Sequence, residues 1–91
     1  MAGAIVDERG LVLERAAQLL ESRASEFVRT MQLEAGFTES DAQGEVRRCM
    51  QTLKLSAEEA RRLNGDVIPL EGAPGATGRM GFTIRVPLGV V

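Results

Sequence analysis

The stretch Arg79-Met80-Gly81-Phe82-Thr83-Ile84-Arg85-Val86-Pro87-Leu88-Gly89-Val90-Val91 is where the chain changes from helical to strand periodicity. Phe82, Ile84 and Val86 alternate with Thr83 and Arg85. One side is apolar and the other polar, the pattern of a half-buried strand over 79–86. Pro87 has no amide to donate to a ladder, so the strand must end, bend or lie on an edge there. Leu88-Gly89-Val90-Val91 resumes an apolar run and is expected to start a third strand, 88–91. A chain that stops inside such a run reads as part of something longer. Upstream, Asp66-Val67-Ile68-Pro69-Leu70 is expected to form the first strand, 66–70, with a loop from Glu71 to Gly78. Two strands alone are marginal in water, so helices or other copies must cover them.

The helical part comes first. Asp7 is placed to cap a helix starting at Glu8, and residues before it show no clear pattern. Leu13, Ala17, Leu20, Ala24, Phe27 and Met31 form an apolar stripe at helical period, widened by Val12, Ala16, Leu19 and Val28. The pattern alone permits a single helix from Glu8 to about Glu34; a family resemblance implies two helices, about 8–21 and 23–35, with a break near Ser22. The Ser22 hydroxyl can compete for backbone groups there. Gly36 suits the left-handed conformation that ends the second helix. Thr38 is a good N-cap for a third helix, with Glu39 and Asp41 where the helix dipole favours acids. Its stripe is Ala42, Val46, Cys49, Met50, Leu53, Ala57, Ala60 and Leu63. Asn64-Gly65 supplies a stop, so the helix is expected over 38–64, about 39 Å long. That length suits a helix lying across a larger body. The fold class as it stands is α+β: three amphipathic helices in a helical part, 1–65, then a β-hairpin part, 66–91.

Composition narrows the function. Ninety-one residues make one small domain at most. Aromatics are 3%, without Trp or Tyr, leaving little to stack on bases or sugars. The formal net charge is -2, and Arg47-Arg48 and Arg61-Arg62 are isolated pairs rather than a stripe. Nucleic acid is therefore not an expected partner. No run approaches the ~20 apolar residues of a membrane span. Met1 to Asp7 is too short and too quickly acidic for a signal peptide. A single cysteine cannot close an internal disulfide, and a cytoplasmic setting is the default expectation.

Candidate chemistry is sparse. Cys49 is the lone thiol, with no histidine in the chain to activate it. Its place on the third stripe reads as a small buried hydrophobe. Gly72, Gly75, Gly78 and Gly81 recur every third residue, but a phosphate-cradling loop needs a strand before it and a helix N-terminus after it. A flexible hairpin loop is the expectation. Glu14, Glu21, Glu58 and Glu59 fall on solvated faces, with no pairing that signals acid–base work. Metal-ligand spacing is absent.

Several segments, in order, resemble one family. Gly81 to Val91 resembles the Arg-x-Pro-x-Gly-Val segment of the NAD(P)-dependent aldehyde dehydrogenases. Glu8-Arg9-Gly10-Leu11-Val12-Leu13 is similar to that family's Glu-Arg-x-x-Ile-Leu helix start, and Ala16 to Glu21 to its continuation. Leu33-Glu34-Ala35-Gly36 resembles the Leu-Glu-x-Gly-Lys turn. Ala57-Glu58-Glu59-Ala60 and Gly65-Asp66-Val67-Ile68-Pro69 resemble the end of the next helix and the Gly-x-x-Ile-Pro strand. The chain departs at Gly36-Phe37-Thr38, where Gly-Lys-Pro is usual, and at Val86, where Glu is common.

The resemblance implies an N-terminal fragment of an α/β enzyme, present only in part. The parent would oxidise an aldehyde to a carboxylic acid with NAD or NADP through a cysteine thiolate. Neither that cysteine nor the other reacting groups falls in these residues. The asparagine motif that helps hold the oxyanion would follow just past Val91. No catalytic, cofactor-binding or metal-ligating residue is therefore assigned, and no cofactor is expected to bind the fragment. Some family members hold a monovalent cation near the residue that Glu34 resembles, a reading that needs backbone oxygens from elsewhere. The expected partners are the rest of the parent enzyme and further copies, joined through the 66–86 hairpin and exposed helix faces. The alternative reading is a free-standing helical interaction module.

Overall fold

The computed structural model describes residues 5–91. The chain divides into two compact units, one ending at Arg61 and the other Arg62–Val91.

The first unit holds three helices: α1, Val6–Ser22; α2, Ala24–Ala35; and α3, Glu39–Ala60. Helix α1 starts earlier than its sequence signal. The Glu8 carboxylate accepts the Ile5 amide at 3.0 Å and fixes the first turn around Ile5. Asp7 lies inside that turn and is not the cap. It is engaged instead by Arg61, whose Nε donates to it at 3.1 Å. Residues 1–4 of the leading stretch lie outside the described residues.

The expected break between α1 and α2 is present, and one residue makes it. Arg23 adopts φ -112° and ψ 17°. Its amide donates back to Leu19 and Leu20, while its carbonyl accepts from Glu26 and Phe27 and opens the next helix. Ser22 Oγ donates to the Leu19 carbonyl at 2.9 Å, and Arg23 reaches forward to Glu26 at 2.8 Å. Gly36 ends α2 in the left-handed region at φ 68°. Thr38 Oγ1 then accepts the Asp41 amide and caps α3 as its sequence signals.

Helices α1 and α2 both pack on α3. The buried apolar side chains are mostly small: Ala17 and Leu20 from α1, and Ala42, Val46 and Ala57 from α3. Alanine at three of five core positions lets the helix axes approach closely but buries little area per residue. The continuous stripe expected from Leu13 to Met31 is interrupted, because the bend at Arg23 resets the helical phase. Phe27 is 44% exposed, and Val28 takes the half-buried position instead. Val12 and Leu19 do not widen the packed face; each is about half exposed.

Arg61 joins α1 to the end of α3. Its guanidinium lies over Gly10, where an added Cβ would sit 2.5 Å from Cζ. Nη1 donates to Glu14 at 2.6 Å and Nε to Asp7. Asp7, Gly10 and Glu14 stand at i, i+3 and i+7, one face of α1, so the helix offers two carboxylates with a gap between them.

Helix α3 ends at Ala60, shorter than the expected 38–64. At 22 residues it spans about 33 Å. Its last turn tightens at the end, the Arg61 amide donating to the Glu58 carbonyl at 3.2 Å. Beyond the helix, Asn64 and Asp66 give backbone groups to residues just past the later strand. Arg85 Nε donates to the Asn64 carbonyl, the Asp66 amide donates to Thr83 Oγ1, and the Thr83 amide donates to the Asp66 carbonyl. Gly65 lies so close to the Thr83 carbonyl that any Cβ would overlap it.

The hairpin is antiparallel, with β1, Val67–Ile68, paired to β2, Gly81–Phe82, in the register Val67↔Phe82 and Ile68↔Gly81. It is much shorter than the expected strands 66–70 and 79–86, and 88–91 forms none. A lone pair of strands has no third strand to extend its ladder. Leu70–Gly72 is instead a single 3₁₀ turn. The expected loop between the strands is present, but internal hydrogen bonds order it: Gly78 donates to the Glu71 carboxylate, and Ala76 and Arg79 close successive turns. Gly75 and Gly78 take positive φ there.

Two predictions follow from the helical unit. Its interior glycines should respond oppositely to substitution. Gly10→Leu must displace Arg61 and is expected to cost about 1–3 kcal/mol. A Cβ at Gly44 meets nothing within 4 Å, so Gly44→Ala should stabilise by about 1 kcal/mol. Thermal unfolding of both variants checks this, and a shared sign would refute it. The second concerns acid. The hydrogen bond from Arg23, and then its charge, hold Glu26 below the ordinary carboxylate range. The folded value is depressed, so the small contribution of this pair is present above the unfolded pKa and lost as pH falls through the folded one. NMR shifts of the α2 amides should report loosening in acid that Glu26→Gln abolishes.

Candidate functional site

The residues of chemical interest are scattered. Cys49 is exposed rather than buried. The face of α3 that packs is centred on Val46 and Ala57, and Cys49 lies about 60° around the helix from Val46, at its margin. Glu34 is exposed at the last turn of α2. Glu21, Glu58 and Glu59 are exposed, as expected. Glu14 differs: it is partly buried and paired with Arg61. Among the described residues, no group of three or more Cys, Asp or Glu could hold a metal ion. None of the helices there is long and apolar enough to cross a membrane.

The structure does assemble one polar cluster, Arg61 with Asp7 and Glu14. The hydrogen bonds that Arg61 donates to Glu14 and then to Asp7 raise its guanidinium above its ordinary value, so it stays a fixed cation. With both carboxylates occupied, the cluster fastens helices and offers no free acid or base. Sequence reasoning set Arg61 aside as half of an isolated basic pair. The signal that could have found it is a glycine inside α1 flanked on its own face by two acids.

The described residues also display much apolar surface. Ile5 at the N-cap of α1 and Val12 and Leu19 along it recur every seventh residue on a face separate from the packed one, exposed by 65%, 52% and 46%. In the second unit, Phe82, Ile84, Val86, Leu88, Val90 and Val91 are all exposed. The alternation that marks 82–86 as a half-buried strand is real, but within this chain its apolar side is uncovered. Beside the start of α3, Phe37, Ser40, Asp41, Gly44, Glu45 and Arg48 line an open groove.

Comparison with known proteins accounts for a chain built this way. The model of the aldehyde dehydrogenase family matches residues 1–91. The chain belongs to that family. It is 49% identical over 84 residues to the 3-sulfolactaldehyde dehydrogenase of Priestia aryabhattai, covering 92% of this chain and 18% of that protein. Against the aspartate-semialdehyde dehydrogenase 1 of Pseudomonas canavaninivorans, identity is 46% over 83 residues, covering 91% of this chain and 18% of that one. A crystal structure of aldehyde dehydrogenase 21 from Physcomitrella patens, in complex with the reaction product succinate, superposes with a TM-score of 0.81. That match has 36% identity and covers 89% of this chain and 17% of the other. The chain thus spans less than a fifth of the length of these aldehyde dehydrogenases.

Cys49 gives a direct check on this geometry. In the folded 91-residue chain it should react with a thiol reagent at close to the rate of the unfolded chain. Strong protection would mean that its helix face is covered.

Proposed function

We propose that this chain is the N-terminal segment of an NAD(P)-dependent aldehyde dehydrogenase, and that its own part in the enzyme is architectural. The observation that carries the reading is the coverage: nearly the whole chain aligns at up to 49% identity, yet it spans only 18% of those relatives. The bare apolar side of 82–91 supports it from physics, since open strand edges and uncovered apolar side chains call for further protein. The parent enzyme would oxidise an aldehyde to its carboxylic acid. The named relatives act on 3-sulfolactaldehyde and aspartate semialdehyde, and the Physcomitrella patens structure holds succinate. All three molecules carry an anionic group beyond the reacting carbon. The substrate class we assign is therefore a short aldehyde bearing a carboxylate or sulfonate.

The glycine loop does not fit a dinucleotide. The glycine loop joins β1 to β2 and feeds no helix N-terminus, so it presents no row of free amides to a pyrophosphate. No step of the reaction is assigned to these residues. The cofactor and the reacting groups belong to the remainder of the parent.

The test begins with the reading frame past Val91. The full product, purified and given NAD or NADP, should reduce the nicotinamide faster with succinate semialdehyde or 3-sulfolactaldehyde than with an uncharged aldehyde of equal length. The 91-residue chain alone should give no reduction. Equal rates with charged and uncharged aldehydes would refute the substrate class, and no oxidation by the full product would refute the enzyme.

The hairpin and the exposed helix faces are also proposed to join copies of the chain. Light scattering of the 91-residue chain should show concentration-dependent self-association, weakened by Ile84→Asp. A monodisperse monomer at high concentration would count against it.

A further inference from the structure

We draw no further inference here: the strongest candidate, the open groove beside the start of α3 lined by Phe37, Ser40, Asp41, Gly44, Glu45 and Arg48, pairs Arg48 with its own Glu45 and Asp41 with Thr38, and nothing in the structure shows what would fill it.

Discussion

The placement of Arg61 over Gly10 is the contact on which the helical unit depends. A guanidinium is broad and planar, and it can cross a helix closely only where no side chain stands in the way. Gly10 provides that gap, and Asp7 and Glu14 stand on either side of it to receive the donors. The surface exposure of these groups means that solvent screens their attraction, so the pair of bonds contributes more to register than to energy. It sets which turn of α1 faces the end of α3. The small core then fills in beneath, with alanines letting the helices close.

Such a core cannot hide all the apolar surface that these helices and strands carry. α2 has no fully buried residue, and α1 has a second apolar face at seven-residue spacing. In the second unit, a two-residue ladder supports a tail whose apolar side chains are bare. An unpartnered monomer with so much exposed apolar surface is unusual. The family relatives are about five times as long as this chain.

Much of the fold was legible locally. The caps at Gly36 and Thr38 each rest on a few neighbouring residues, and each appears where those residues put it; the break beside Ser22 was implied by the family resemblance, since the local pattern permits one helix. The hairpin was legible in kind but not in extent, because alternation measures what a strand could bury and not whether a partner is there to bury it. Cys49 was misread for a related reason. Periodicity gives the width of an apolar stripe, while the packing of α1 and α2 decides how much of that width is covered, and Cys49 falls at the margin. The tie between Arg61 and Glu14 spans 47 residues of sequence, beyond the reach of any local pattern.

The sequence by itself determined the order of helices and hairpin, the caps at Gly36 and Thr38, and the family through a set of ordered segments. These are properties of neighbouring residues: a hydroxyl beside free amides, a glycine able to take positive φ, apolar residues spaced at 3.6 or 2. Tertiary structure alone decided that Asn64 and Asp66 pair with Arg85 and Thr83. It also decided that Arg61 is a fastener and Cys49 an exposed thiol. Those outcomes depend on which surfaces meet, and surfaces meet only after the chain has folded back upon itself.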